Sequence, residues 1–397
     1  MPQGWTPTRI GNICKTNHRT YSIAEKWPFV NYLDTGNITE NRLGDIQHIN
    51  VGQDILPSRA RRKVAAGDII YSTVRPNQRH YGIVRDVLPN MLVSTGFTVI
   101  TVDKEKADSD FLYYYLTQSN IVDSLHAIGE QSVSAYPSIK PSDIESIELE
   151  LPPLPEQVEI GITLRALDEK IANNTKINHH LEQMAQAILS DMFGSMLLRQ
   201  STEIMGKYLN LINGFAFKST TYLASGKYKI ITIKNVQDGL VDSIGTSYID
   251  VLPARMHSDC NLSIGDILLS LTGNVGRVGI VSNNNLLLNQ RVAKIVPKSK
   301  KHLPFWYFVF RSSEIKEHLI RIAKGTAQQN LSPIETLNTK ISLDLVKVEK
   351  YVEVATPLFN NIVGNMQESA RLAELRDSLL PKLMSGELSF SDLSAAK

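Results

Sequence analysis

Arginine, asparagine and glutamine crowd one short stretch of this chain, Ser72-Thr73-Val74-Arg75-Pro76-Asn77-Gln78-Arg79-His80-Tyr81. These side chains pair in bidentate fashion with the edges of guanine and adenine, and Tyr81 adds an aromatic face. A second stretch offers Thr272, Asn274 and Arg277, with Lys218 upstream of it. Further on, Asn289-Gln290-Arg291 and Lys324-Gly325-Thr326-Ala327-Gln328-Gln329-Asn330 supply more amides and positive charge. For any one residue a turn is account enough, since Asn and Gly serve turns well. The set is different, because it recurs at matching positions in two halves of the chain. We take Arg75, Asn77, Gln78, Arg79, Tyr81, Lys218, Thr272, Asn274, Arg277, Gln290, Arg291, Lys324, Gln328 and Gln329 as candidate residues for reading nucleic acid.

Catalytic constellations do not hold up beside it. The chain has no G-x-x-x-x-G-K-[ST] phosphate loop and no G-x-S-x-G elbow. Gly273-Asn274-Val275-Gly276-Arg277-Val278-Gly279 has the wrong spacing for a dinucleotide fingerprint and reads as a turn between strands. His179 and His180 are adjacent on a helix, where neighbours point apart, so they make a poor metal site. Glu314-Ile315-Lys316 lacks a suitably placed upstream aspartate, and no Asp/Asn-Pro-Pro-aromatic sequence marks an amino-methyltransferase. We expect no catalytic residue, no metal and no cofactor in this chain.

The elements that position these loops occur twice. Gly67-Asp68-Ile69-Ile70-Tyr71-Ser72 leads through a loop to Gly82-Ile83-Val84; Gly265-Asp266-Ile267-Leu268-Leu269-Ser270 leads to Gly279-Ile280-Val281. An aromatic cluster follows each, Phe111-Leu112-Tyr113-Tyr114-Tyr115 and Phe305-Trp306-Tyr307-Phe308, then a loop glycine, Gly129 and Gly325. Strands are predicted over 68–74, 81–87 and 96–102 in one copy. In the other they fall at 228–233, 266–271, 278–281 and 291–296, and helices open at the aromatic clusters, 110–118 and 304–311. Each copy reads as a mixed α and β unit, and the blocks fall at 1–152, 153–200, 201–345 and 346–397.

Between the copies, Leu151-Pro152-Pro153-Leu154-Pro155-Glu156-Gln157 stops a strand and starts a helix, with Pro155 suited to a first helical position. From there Leu164, Leu167, Ile171, Asn174, Asn178, Leu181, Ala185, Ile188 and Met192 step by three and four. This is a heptad seam holding two asparagines, which cost stability but fix register and partner choice. About forty residues at 1.5 Å each make a rod of roughly 60 Å. A wider stripe follows the second copy, with Leu358, Phe359, Ile362, Met366, Ala370, Ala373, Leu380 and Leu383; Pro381 should kink or end it. Two such helices can bury their stripes antiparallel against each other.

Composition narrows the class. The chain has 397 residues, 42% hydrophobic, and a net charge of +2. Residues 1–150 hold 15 Lys+Arg against 17 Asp+Glu, and residues 201–345 hold 17 against 10. That basic footprint is weak for a stand-alone nucleic-acid binder, so partners are expected to supply part of the phosphate neutralisation. Two isolated cysteines, Cys14 and Cys260, fit a reducing cytoplasm better than a disulfide or zinc framework. No apolar run approaches the roughly 18 residues of a membrane span, and the start of the chain does not resemble a secretory signal.

Several stretches in this order carry a family resemblance. They are Leu151 through Gln157, the paired Gly-Asp-Ile strands, and Asn213-Gly214-Phe215-Ala216-Phe217-Lys218. With them go Gly325 through Ser332 and the closing Leu380-Pro381-Lys382-Leu383-Met384-Ser385-Gly386-Glu387-Leu388. The chain resembles the specificity (S) subunit of type I DNA restriction-modification systems over almost its whole length. The resemblance implies an α+β fold: two related mixed α/β target-recognition domains separated by two long antiparallel coiled-coil helices. It implies binding to a split, asymmetric site in double-stranded DNA. It also implies recruitment of modification subunits, which methylate adenine with S-adenosylmethionine, and of restriction subunits, which use ATP and Mg. The seam residues Leu164, Leu167, Ile171, Asn174, Asn178, Leu181, Ile188, Ile362, Met366 and Leu380 would then form the spacer and partner surface. The second helix begins Val346-Lys347-Val348-Glu349-Lys350, without the family's prolines and glutamine. Two alternatives stay open: a duplicated structural or adhesive module on a coiled-coil stalk, and the specificity subunit of a methylation-only or related two-subunit system.

Overall fold

In the computed structural model, residues 4–131, 137–194, 203–325 and 329–389 are described. The chain divides into two compact units, one made of residues 1–169 with 373–397 and the other of residues 170–372. The helices are α1 (Ser109–Thr117), α2 (Ser119–Glu130), α3 (Pro141–Glu145), α4 (Leu154–Phe193), α5 (Leu303–Arg311), α6 (Ser313–Ile322), α7 (Pro333–Leu337) and α8 (Leu345–Met384).

In the first unit the strand order Gln47–Asn50, Phe29–Leu33, Met91–Ser94, Ala60–Lys63 makes one sheet, with a parallel central pair. Cys14–Thr16, Phe97–Val102, Ile69–Ser72 and Tyr81–Ile83 make a second, wholly antiparallel one. In the second unit Ser247–Ile249, Tyr228–Ile231, Leu286–Leu288 and Asn261–Leu262 repeat the first order, again with a parallel centre. Leu209–Asn213, Val292–Pro297, Ile267–Ser270 and Val278–Ile280 repeat the second, with Gly239–Leu240 added in parallel at its edge. The repeat seen in the sequence is thus a repeat of topology.

The physical content of the Gly-Asp-Ile…Gly-Ile-Val repeat is visible. Gly67 and Gly265 have φ of 89° and 87°, a left-handed turn that favours glycine. Each turn is closed the same way. Gly67 N–H donates to Val84 O at 2.8 Å and Val84 N–H returns to Asp68 O at 2.8 Å; Gly265 and Val281 with Asp266 do so at 2.9 Å each. The aspartate carboxylates cap the turns, accepting from Ala65 N–H at 2.7 Å and Ser263 N–H at 2.8 Å. The strands that follow, Ile69–Ser72 and Ile267–Ser270, are buried throughout, which is why they read as continuous apolar runs.

Both aromatic clusters are core helices. Phe111, Leu112, Tyr113 and Tyr114 of α1 are buried with Ile160 and Leu164 of α4 and Leu383 and Met384 of α8. In the second unit, Phe305 through Phe310 of α5 are buried with Ala185, Leu189 and Phe193 of α4 and with Tyr351, Phe359 and Ile362 of α8. The outer parts of the apolar stripes therefore pack on the globular domains, while the asparagines face the other helix. Within each unit α4 and α8 run antiparallel. Asp168 pairs with Arg376 in one; Asn174 bonds Glu368, and Tyr351 donates to Ala185 O, in the other.

The starts of the two helices differ as their sequences do. Gln157 is fully buried; its amide donates to Pro152 O at 2.8 Å and its oxygen accepts from Asp108 N–H at 3.0 Å. At the matching position α8 has the buried Val348, and Asp344 caps the helix through Val346 N–H at 2.9 Å. Glu349 there gathers Lys301 at 2.8 Å and His302 at 3.0 Å, which ties the start of α8 to the turn that precedes α5. Pro381 does not end α8, which continues to Met384. It lies in the last turn, on the exposed side, where the carbonyl it leaves without a partner meets water.

Candidate nucleic-acid interface

Two hydrogen bonds shape the base of each reading loop, and they are the same in both copies. Ser72 Oγ donates to Val74 O at 3.1 Å, and Ser270 Oγ to Thr272 O at 3.3 Å. Ile139 N–H donates to Thr73 O at 2.8 Å, and Leu331 N–H to Leu271 O at 2.7 Å. From this common frame the loops diverge.

In the first copy the chain enters a short 3-10 turn, Pro76–Gln78, flanked by left-handed Arg75 and Arg79 with φ of 47° and 57°. Pro76 is buried and anchors the turn, which leaves Arg75, Asn77 and Gln78 exposed. Arg79 is half-buried and held by Glu40 at 3.1 Å and Ser119 Oγ at 3.2 Å. Tyr81 is a correction to the sequence analysis. Its ring is 3% exposed and stacks on Tyr71 with centroids 5.3 Å apart. Burial pushes its hydroxyl up to about 12. The loop turns back into its strand one residue earlier than the polarity suggests, so Tyr81 points into the core.

In the second copy the loop turns through Gly273 and Gly276, with φ of 74° and 80°. Asn274 at its tip is exposed. The Arg277 guanidinium donates to Gln237 Oε1 at 2.7 Å and is half-buried. Thr272 is also corrected: it is 4% exposed and its hydroxyl donates to Asn330 Oδ1 at 2.8 Å, which ties two loops together and leaves nothing for a duplex. Leu271 N–H donates to Arg291 O at 3.0 Å, so Gln290 and Arg291, both exposed, stand beside this loop. Gln329 is exposed and its carbonyl accepts from Gly273 N–H at 3.2 Å. Lys324 is exposed and pairs with Glu335 at 2.5 Å. Lys218 is exposed in a segment that crosses the 288–290 strand end, where Phe215 N–H donates to Leu288 O at 2.9 Å. A Cβ on Gly214 would meet Asn289 O at 2.1 Å, so that crossing requires glycine. Gln328 lies outside the described residues.

The seam residues sort by environment. Leu164 and Ile362 are buried, and Leu181, Ile188, Met366 and Leu380 are partly buried against the domain cores. Leu167 and Ile171 are half-buried. Asn174 and Asn178 face α8, donating to Glu368 Oε2 at 2.7 Å and Ile362 O at 3.3 Å.

Sequence reasoning missed a basic strand. Arg59, Arg61, Arg62 and Lys63 stand four within five residues on and beside Ala60–Lys63. A charged strand gives neither an apolar run nor a clean alternation, so only its backbone pairing shows it. Of the Glu314-Ile315-Lys316 triplet, Ile315 is a core side chain and Lys316 pairs with Asp238 at 2.9 Å. Among the described residues no group of three His, Cys, Asp or Glu could hold a metal ion. Among the same residues no helix is long and apolar enough to cross a membrane.

The type I restriction modification DNA specificity domain matches residues 2–183 and 206–345, one stretch for each copy. The chain belongs to that family. This S subunit is 25% identical over 464 aligned residues to the type I restriction enzyme HindI specificity subunit of Haemophilus influenzae, covering 97% of this chain and 99% of that one. It is 23% identical to the MjaIX specificity subunit of Methanocaldococcus jannaschii, over 99% of this chain and 95% of the other. Its fold is similar to that of the S subunit of a type I system from M. genitalium, with a TM-score of 0.52 at 17% identity over 96% of each chain. Family membership displaces the adhesive-stalk alternative, and the two related mixed domains and paired long helices are those of an S subunit.

Proposed function

We propose that this S subunit reads a two-part, asymmetric site in double-stranded DNA, one part with each copy, and that its paired helices set the spacing and carry the modification and restriction subunits. One observation supports this reading above the rest. The two copies share strand order and loop-base hydrogen bonds, yet present different side chains, Arg75, Asn77 and Gln78 against Asn274, Arg277 and Gln290. Identical frames with different readers suit two different half-sites, and guanidinium and amide groups suit major-groove base edges. In this reading the chain performs no chemistry. S-adenosylmethionine, ATP and Mg belong to the partner subunits, which methylate adenine and cut DNA in the cytoplasm.

The test is to map methylated adenines in DNA exposed to the complex of this chain with its modification subunits. The expected result is one bipartite motif with unlike halves. Exchanging residues 73–80 should change one half and leave the other. A continuous or palindromic motif would overturn the reading. Adding the restriction subunit decides between a full restriction system and a methylation-only one.

A further inference from the structure

The basic strand Ala60–Lys63, last in its sheet, and the residue before it carry arginines that no carboxylate neutralises among the described residues. Lys63 pairs with Glu25 at 2.5 Å, and the neighbouring Arg19 is taken by Asp68. Arg59, Arg61 and Arg62 have no carboxylate within 4.0 Å among the described residues. Asp34, which follows the Phe29–Leu33 strand of that sheet, accepts from the Tyr32 hydroxyl at 3.0 Å. Arg61 Nη1 and Arg62 Nε are buried nitrogens without a hydrogen-bond partner. Arg59 is exposed and Arg61 and Arg62 are only half-buried, so an acceptor from outside can reach Arg59 directly and the exposed parts of the other two.

Position supplies the second argument. Thr95 N–H donates to Arg59 O at 2.9 Å, and Thr73 N–H donates to the adjoining Gly96 O at 2.8 Å. The strand therefore starts beside the base of the loop that presents Arg75, Asn77 and Gln78. The first 150 residues are slightly acidic overall, 15 Lys+Arg against 17 Asp+Glu, yet four of those 15 cations lie in these five positions. In the second copy the matching strand, Asn261–Leu262, has no cation and follows Asp259.

We infer that Arg59, Arg61 and Arg62 grip the phosphate backbone flanking the half-site read by the first copy, supplying affinity without sequence information. The inference rests on the DNA-reading function proposed above. Guanidinium forks bind phosphate oxygens well, and contacts of this kind position a protein while base-edge contacts specify. The acidic balance of the first copy then ceases to be an obstacle, because its positive charge is concentrated where the duplex lies.

The experiment measures binding of the complex with modification subunits to its mapped DNA site as salt is varied. Each phosphate contact contributes about 0.9 to the slope of log affinity against log salt. R59Q/R61Q/R62Q should make that slope shallower by about three, while the methylated motif stays the same. R59K/R61K/R62K should keep most of the slope, since lysine preserves the charge. If the glutamine triple does not fold, exposed Arg59 alone serves: R59Q should lower the slope by about one. An unchanged slope in a complex that still selects its site would overturn this inference alone, as would a changed motif. A wild-type complex without site preference would overturn the DNA-reading function and this inference with it.

Discussion

Asn365 on α8 donates its amide to Asn178 Oδ1 on α4 at 2.8 Å. Asn365 is also the counterpart of Asn174 in the repeat, and Ser369 is the counterpart of Asn178. Asn174 Nδ2 in turn reaches Ser369 Oγ at 3.3 Å and Asn365 O at 3.4 Å. The same two positions of each helix thus meet in one polar layer. Asn174 is 1% exposed and its Oδ1 accepts nothing, so the layer is not optimised for stability. Its value lies in register: a slip by one heptad would bury amides against apolar side chains.

Replacing the whole layer therefore has opposite effects on stability and specificity. Asn174→Leu alone should destabilise by about 0.5–1.5 kcal/mol, because it removes the buried Asn174 amide from Ser369 Oγ and Asn365 O. Combined leucines at positions 174, 178, 365 and 369 should recover that loss or exceed it. They should also broaden the range of spacer lengths accepted between half-sites. Denaturant titration measures the first effect and selection from a spacer library the second.

The second glycine of the repeat gives an unequal pair of substitutions. A Cβ on Gly279 would meet the backbone oxygen of Leu240 at 2.5 Å. On Gly82 it would meet Ile38 Cδ1 at 2.5 Å and Asn41 Oδ1 at 2.7 Å, both side-chain atoms that can swing aside. Gly279→Ala should cost about 1–3 kcal/mol or more and Gly82→Ala less. Equal losses in thermal unfolding would mean that the crossing segments are not what demands glycine.

Alkaline pH should weaken the first unit before neutral thiol reagents reach it. Burial, with Glu145 nearby, pushes the Cys14 thiol from 9.0 to about 12, and burial raises Tyr81 from 10.0 to about 12. Both groups are neutral when protonated. Between the ordinary and the raised values, the unfolded chain sheds protons that the folded chain keeps. The contribution of these two groups is therefore constant below about pH 9 and falls as pH climbs to 12, from about 9 for Cys14 and about 10 for Tyr81, by about 1.4 kcal/mol per pH unit for each. Cys14→Ser and Tyr81→Phe should each flatten part of that fall in denaturant midpoints taken from pH 8 to 11. Cys14, at 9% exposure, should resist maleimide at pH 7 until the protein unfolds.

What could be foreseen follows from how far apart in sequence the causes lie. The Gly-Asp-Ile strands, the aromatic helices and the asparagine seam declare themselves within a few residues, through turn chemistry, burial and heptad spacing. The parallel pairing of Phe29–Leu33 with Met91–Ser94 joins segments some sixty residues apart and leaves no local trace. Tyr81 and Thr272 sit among polar neighbours, and only the turn geometry sends one to the core and the other to Asn330. Gln157 looks like a surface amide until the three carbonyl and N–H groups around it are seen. The free arginines of the edge strand are legible as charge, but that they lack partners is a property of the fold.

Base discrimination should divide cleanly between the copies. Asn77 and Gln78 stand exposed on a turn fixed by buried Pro76, so substituting either removes a reader without loosening the loop. Asn77→Ala should cost about 1–3 kcal/mol of discrimination at one base pair of the first half-site. The second half-site should be untouched. Arg277 is different, because Gln237 holds its guanidinium at 2.7 Å. Arg277→Ala removes the reader and frees Gln237, whereas Gln237→Ala leaves the charge in place and releases its orientation. If Arg277 reads a base from that held position, both substitutions should relax the same base pair of the second half-site, the first more than the second. Methylation of a library randomised in both halves measures all three variants at once. Loss of preference in both halves from any one of them would mean damage to the fold and would remove these loops as the readers.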